Sequence, residues 1–201
     1  LVMPGDVLGY VTEEAAKATG FPQGLPVVAT SNDKAVEGLG TGCMGDKTAC
    51  VSLGTYTAAM MEGREYLRDT KAVWPKFSCM PNKYLYDSNG IRRGMWTVSW
   101  FRDVLGDGFA KEAKAQGMSP EELLSKEAEN VPVGSDGLMT VLDWLAPVDA
   151  RYKKGMMIGF DGRSDRAHIY RSILEAVAMT MKRHVDDMTN EMGVTLDQVI
   201  I

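Results

Sequence analysis

The run V-V-A-T-S-N-D-K-A-V-E-G-L-G-T-G-C-M-G-D-K-T-A-C-V-S-L-G-T-Y-T, from Val27 to Thr57, decides the fold. Its apolar start at 27–29 predicts a buried strand that leads into a polar corner at 31–33. A short glycine-rich helix is expected from residue 34 to about 38, and two strands folded at Gly54-Thr55 complete the run. Strands and helices that mix in this way indicate an α/β protein.

The polar corner ends in Asp33, between a strand and a helix. An aspartate there is most often an N-cap, and Ser31 or Asn32 could cap the helix equally well. The functional alternative is a general base. A hydroxyl group is a weak nucleophile and needs its proton accepted as it attacks phosphorus. A carboxylate near a helix N-terminus stays ionised, as such a base must.

The second half of the run turns at Gly54-Thr55. A hairpin turn that requires a small residue is the simple interpretation. A phosphate cradle is the alternative, because glycine permits close approach and Thr55 donates a hydrogen bond. No Walker loop occurs in the sequence. We therefore interpret the corner and the bend as the two halves of a phosphoryl-transfer site.

Composition narrows the class of protein. The 201 residues carry a formal net charge of -5 and no basic run, which argues against nucleic acid or an anionic membrane as partner. No apolar run approaches the length of a membrane span. Three cysteines without a C-x-x-C pair predict reduced thiols in a cytoplasmic protein. Only His168 and His184 are present, which excludes a histidine-rich zinc site.

Beyond the opening run, the pattern predicts five further features. Thr12 and Gly20 should bound a first helix, and Ser119 should begin another with a capping box. Residues 62–90 are expected to be irregular, and 137–145 to form a buried strand. After Ser164 a long amphipathic helix should run to about residue 192. On that helix, His168 and Glu175 are expected to cap or to form ion pairs.

Four motifs together resemble the FGGY family of carbohydrate kinases. The run G-M-M-I-G-F from Gly155, followed by H-I-x-x-S-I-L-E from His168, resembles the second signature of that family, with Phe160 as its only departure. The run T-G-F-P-Q-G-L-P-V-V-A-T-S-N-D resembles the approach to the family's catalytic aspartate. S-L-G-T-Y-T resembles its S-x-G-T-S phosphate hairpin, with Tyr56 in place of serine, and W-F-R-D at 100–103 matches another familiar run.

The resemblance implies an actin-like, ribonuclease-H-like kinase that uses ATP and Mg2+, present here as an incomplete α/β fold. Residues 1–42 would end the sugar-binding domain, and residues 43–201 would begin the nucleotide-binding domain. Asp33 would be the catalytic base and a magnesium ligand. Gly54 and Thr55 would hold the nucleotide phosphates. The family's nucleotide-contacting glycine falls at Met95, so Gly94, one residue away, is the candidate.

The resemblance also shows what this sequence does not contain. The family's N-terminal D-x-G-T loop and its later glycine-rich adenine loop are absent, so the piece alone should be inactive. Leu145 to Asp149 stands where the family often has G-E-R.

The expected substrate is a small sugar or polyol, most like those of xylulokinases, and a homodimer is possible. Glycerol and autoinducer-2 kinases remain alternatives, as does a non-catalytic module that binds nucleotide or sugar as a sensor.

Overall fold

The structure is a computed structural model that describes residues 2–43, 45–148 and 150–201. Met44 of the opening run and Asp149, at the end of the run in place of G-E-R, lie outside those ranges, as does Leu1.

Helices and strands are mixed along the chain, as the sequence predicts. The helices are α1 (Glu13–Thr19), α2 (Asp33–Gly40), α3 (Gly94–Ala115), α4 (Pro120–Ala128) and α5 (Arg166–Met192). The strands are β1 (Val7–Tyr10), β2 (Pro26–Val28), β3 (Thr48–Leu53), β4 (Thr57–Gly63), β5 (Val73–Phe77), β6 (Tyr84–Ser88), β7 (Met139–Val141), β8 (Met156–Ile158) and β9 (Gln198–Ile200).

The central sheet has five strands in the order β5-β6-β4-β3-β9. Strand β9 runs parallel to β3, and the other neighbours are antiparallel. The predicted strand pair around Gly54-Thr55 is present as β3 and β4, in a register that pairs Ser52 with Ala58. This register brings the two halves of the bend together.

The expectation that residues 62–90 are irregular is wrong, because 73–77 and 84–88 pair as the hairpin β5–β6. Pro75 misled the sequence reasoning. Strand β5 is an edge strand, where a residue without a backbone N–H is tolerated. Val73 is 2% exposed and its neighbour Trp74 63%, the alternation of a strand with one buried face.

Two small sheets flank the central one, and both differ from prediction. Strand β1 was not predicted; it pairs with β2. Val27 and Val28 of β2 are 45% and 49% exposed in this chain, so the expected buried strand is not buried here. The apolar run 137–145 forms a strand only over Met139–Val141, which pairs with β8.

The two faces of the central sheet carry different helices. Ala49, Ala59 and Tyr86 belong to a buried cluster with the apolar stripe of α5. The alternate residues Cys50 and Met60 point to the opposite face. They form a second cluster with Ala35 of α2. Helix α2 therefore lies on the face away from α5, and it brings the polar corner to the sheet.

Helix ends follow the predicted signals. Thr12 caps α1, and Gly20 ends it in the left-handed conformation. Ser119 and Glu122 form the predicted capping box of α4. Helix α5 ends at Gly193, also left-handed. Of the helices in the described ranges, none combines the length and the apolarity that crossing a bilayer requires.

Candidate active site

Asn32, and not Asp33, caps helix α2. The Asn32 side chain accepts a hydrogen bond from the Ala35 N–H at 3.1 Å, and its backbone is extended, as a cap requires. Asp33 is the first residue of the helix and is exposed. One of its oxygens, Oδ1, accepts from the Lys34 N–H at 2.8 Å. Because the neighbour serves as the cap, the carboxylate of Asp33 stays accessible to a proton donor.

The bend at Gly54-Thr55 is fixed from the α3 side. The Gly94 N–H donates to the Thr55 carbonyl at 2.9 Å, and the Met95 N–H donates to the Gly54 carbonyl at 3.1 Å. The Thr57 hydroxyl adds a 3.0 Å bond to the Gly54 carbonyl. Thr55 itself is exposed, and within the described ranges its hydroxyl forms no intramolecular hydrogen bond. The bend thus offers a rigid backbone and a free donor to solvent.

Gly94 lies buried beneath the bend. A Cβ at this position would lie 2.1 Å from Thr57 Oγ1 and 2.6 Å from Thr57 Cβ. The start of α3 can approach the bend only because this residue has no side chain. Its N–H is already bonded to the Thr55 carbonyl. The geometry gives Gly94 a supporting role, and a direct nucleotide contact remains a prediction.

Tyr56, which replaces the family's serine, packs over a glycine. A Cβ on Gly90 would lie 2.3 Å from the Tyr56 hydroxyl oxygen, and that hydroxyl donates to the Ser88 carbonyl at 3.4 Å. Burial, together with the nearby Asp87 carboxylate, raises the pKa of Tyr56 above its usual value, while Arg92 opposes the rise. The phenol therefore stays neutral and serves as packing for the bend.

A lysine connects the corner with the strand that leads to the bend. Lys34 Nζ donates to Ser52 Oγ at 2.8 Å and to Glu37 Oε2 at 2.9 Å. Ser52 lies in β3, two residues before Gly54. The structure therefore brings the helix of Asp33 and the strand of the bend into direct contact. Sequence reasoning missed Lys34, although a lysine in the first turn of a helix is a recognisable signal.

Sulfur atoms dominate the packing beneath α2. All three cysteines are buried and free, and they share one cluster with Ala35. Cys79 Sγ donates to the Ala35 carbonyl at 3.2 Å. Burial, with smaller effects from Cys50 and Glu62, raises the pKa of the Cys43 thiol to about 11. Free thiols agree with the sequence prediction, and they pack as small apolar groups.

The polar corner at 31–33 fits magnesium only if the phosphate oxygens of a bound nucleotide supply further ligands beside Asp33. Mg2+ in phosphoryl-transfer sites is usually held by one or two carboxylates together with substrate phosphate oxygens. No group of three or more metal-binding side chains occurs in the described part of the chain. Asp33 has an exposed carboxylate and matches the protein's share of such a site.

Residues of the family-like signature converge on a different place, the turn 134–137. All four residues of this turn have positive φ, from 47° to 94°. The Gly134 N–H donates to both oxygens of Glu175, at 3.1 and 3.2 Å. A Cβ on Gly159 would lie 2.2 Å from the Gly137 carbonyl oxygen. Gly159 and Glu175 thus support this strained turn.

His168 joins the same turn to the start of α5. Its ring contacts Asp165, the N-cap of α5, at 2.7 Å and Asp136 at 3.4 Å. The prediction that His168 and Glu175 cap or form ion pairs is confirmed. His168 completes a capping box, and Glu175 accepts from Arg171 at 2.8 Å.

The class of protein follows from this geometry together with known structures. The fold is that of the actin-like ATPases in its α/β form. It superimposes on the crystal structure of xylulose kinase from Rhodospirillum rubrum with a TM-score of 0.75 at 25% identity, covering 94% of this chain and 37% of that one. Plasmodium falciparum glycerol kinase with ADP has the same fold, with a TM-score of 0.74 at 20% identity over 96% of this chain and 37% of that one.

The chain belongs to the FGGY family of carbohydrate kinases, because residues 49–201 match the model of that family's C-terminal domain. It is 56% identical over 199 residues to the sugar kinase YgcE of Escherichia coli strain K12, covering 99% of this chain and 40% of that protein. It is 23% identical over 203 residues to the xylulose kinase of Bacillus subtilis strain 168, covering 100% of this chain and 38% of that protein. The chain therefore spans about two fifths of the length of these curated relatives.

Proposed function

We propose that the protein to which this chain belongs transfers the γ-phosphoryl group of ATP to a hydroxyl group of a sugar or polyol. A pentulose is the favoured substrate class, since relatives named ribulokinase and xylulose kinase are among its matches. In this proposal, residues 1–42 end the sugar-binding domain and residues 43–201 begin the nucleotide-binding domain. The site lies where these two parts meet, and the protein is cytoplasmic.

The contact between Lys34 and Ser52 is the observation that carries the proposal. It joins the first turn of α2, which begins with Asp33, to strand β3, which ends at Leu53 directly before the bend. A phosphoryl transfer needs a base and a phosphate cradle within reach of one another, and most of its catalysis comes from positioning and charge neutralisation. The direct contact between the two segments supports such an arrangement for the corner and the bend.

Each residue has a proposed task. Asp33 accepts the proton of the acceptor hydroxyl as the hydroxyl attacks phosphorus. The bend holds the nucleotide phosphates by the Thr55 hydroxyl and by a backbone that comes close at Gly54. Gly94 supports the bend. Mg2+, with Asp33 as one ligand, would neutralise phosphate charge when bound.

The acceptor can be identified by measuring ATP consumption by the full-length protein with panels of pentuloses, polyols and hexuloses. A pentulose that turns over with the highest kcat/KM supports the favoured class. A preference for glycerol or for autoinducer-2 would show that the protein is an FGGY kinase of another substrate class. Binding of ATP with no turnover on any acceptor would favour the sensor module.

A further inference from the structure

Lys34 occupies a position where helices disfavour a cation. It is the second residue of α2, and the N-terminus of a helix attracts negative charge. Its side chain is nevertheless only 19% exposed, so both its stem and its charge are largely covered. Contacts with its partners must therefore stabilise the lysine enough to offset its unfavourable interaction with the helix dipole.

Those partners form a polar triangle with Lys34. Lys34 Nζ donates to Ser52 Oγ and to Glu37 Oε2, and the Ser52 hydroxyl lies close enough to Glu37 to influence its pKa. Burial alone would raise the pKa of Glu37, but the bonds from Ser52 and Lys34 lower it overall. Glu37 therefore stays ionised at neutral pH and carries the negative charge of the triangle.

The triangle connects directly to both halves of the site. On one side, the Lys34 N–H is bonded to Asp33 Oδ1, so a shift of Lys34 moves the carboxylate with it. On the other side, Ser52 is the last but one residue of β3, and the bend begins at Gly54, two residues further along the chain. Among the described residues, no other side-chain hydrogen bond joins α2 to β3 through a charged group.

Packing alone gives α2 little fixed register on the sheet. The buried residues of this helix are Ala35 and Gly38, which have almost no side chain to interlock with a neighbour. Contacts of that kind allow a helix to slide, whereas a short, charge-assisted hydrogen bond has a preferred length and direction. The Lys34–Ser52 bond, together with the Cys79 bond to the Ala35 carbonyl, is a directed contact of the kind that can fix where α2 stops on the sheet.

We propose that Lys34 is a positioning residue which, through Ser52 and Glu37, sets the distance between the Asp33 carboxylate and the phosphate-binding bend. This inference rests on the proposed function. It assigns Lys34 no contact with the reacting atoms. A displacement of about 1 Å in such a site lowers a rate by about 100-fold.

The test is a double-mutant cycle in the full-length protein. Lys34→Met keeps the stem and removes the charge and the donors, and Ser52→Ala removes the acceptor. We expect Lys34→Met to lower kcat by about 10- to 100-fold, with KM for ATP nearly unchanged, because geometry and not binding is lost. Ser52→Ala should act in the same direction, and the double variant should be no worse than Lys34→Met alone.

Two further variants separate positioning from general stability. Lys34→Arg restores a cation with donors and should recover part of kcat. Lys182→Met removes a lysine of an exposed i,i+4 pair on α5 and should leave kcat unchanged. A kcat within twofold of wild type for Lys34→Met, or multiplicative effects in the double variant, would overturn the inference.

Hydrogen exchange at the amides of α2 distinguishes this inference from the proposed function. If wild type phosphorylates an acceptor and Lys34→Met does so equally well, only the inference fails. If the wild-type protein phosphorylates no acceptor, the proposed function fails. The exchange data then show whether the Lys34–Ser52 contact holds α2 in place. Equal loss of α2 protection in both single variants and in the double variant supports the coupling, and unchanged protection refutes it.

Discussion

Asp33 and His168 both lie in the first turn of a helix, yet their surroundings differ completely. Asp33 is exposed, and its carboxylate accepts only from the N–H of the next residue among the described residues, since Asn32 serves as the cap. His168 is held between two carboxylates and completes the cap of α5. The comparison teaches that a polar group already satisfied by its own fold maintains structure. A polar group left exposed at a helix N-terminus is available to a ligand.

The same contrast holds between the bend and the turn 134–137. Both depend on glycines that a neighbour approaches closely, Gly94 in one and Gly159 in the other. At the turn, however, a carboxylate of the protein itself, Glu175, already accepts the free N–H. The bend leaves the Thr55 hydroxyl without such a partner in the described residues. The signature that identifies the family is therefore structural in this chain, and the free donor lies elsewhere.

Asp33→Asn in the full-length protein gives the strongest test of the contrast between Asp33 and His168. We expect kcat to fall about 1,000-fold, because a general base contributes about 100- to 10,000-fold. ATP affinity and thermal stability should change little, since Asn32 still caps the helix. Steady-state kinetics and a melting curve measure both. Asp107→Asn, at an exposed position of α3, is the matched control. Near-normal turnover in Asp33→Asn would show that another group is the base.

Gly159→Ala, in contrast to Asp33→Asn, is expected to lower stability. A methyl group there would meet the Gly137 carbonyl oxygen, and φ is +101°, so the free energy of unfolding should fall by about 2–4 kcal/mol. Denaturant titration measures the loss. Gly162→Ala, with nothing within 4 Å of the added Cβ, should change stability much less. Equal stability of the two variants would contradict the role given to the turn.

Gly94→Ala tests whether this glycine is needed for packing beneath the bend. The added Cβ would collide with Thr57, so stability should fall by about 2 kcal/mol and KM for ATP should rise as the bend shifts. Gly108→Ala, in the same helix with open space around it, should be neutral or stabilising. A rise in KM without any loss of stability would instead indicate direct nucleotide contact.

The smallest effect concerns pH. The hydrogen bond to Asp165, aided by Asp136 and opposed by burial, raises the pKa of His168 above its usual value. Its contribution to stability is therefore full below the unfolded pKa of about 6.5 and is lost as the pH rises through the folded pKa. Melting temperatures of wild type and His168→Gln should differ more at pH 5.5 than at pH 8. A difference that grows with pH would contradict this sign.

Sequence reasoning succeeded where a local signal has one physical meaning. The caps at Thr12 and Ser119, the end of α5 at Gly193 and the hairpin at Gly54-Thr55 were predicted from single residues and short periods. It failed at Pro75, because only the sheet order shows that β5 is an edge strand.

The site was predicted in part for the same reason. Asp33 and Thr55 could be proposed from their types and positions. The choice of Asn32 as the cap and the reach of Lys34 to Ser52 depend on side-chain geometry and on contacts between distant segments. A list of residues in chain order does not contain that information.

The burial of all three cysteines beneath α2 has a practical consequence. A thiol at 2% exposure, such as Cys43 or Cys50, cannot meet an alkylating reagent while the helix is seated. Its raised pKa makes the reactive thiolate scarcer still for Cys43. The rate of alkylation therefore reports how often the segment that carries Asp33 lifts from the sheet. The three cysteines therefore serve as an internal probe of that motion. Substrates that hold α2 against the central sheet should slow their alkylation.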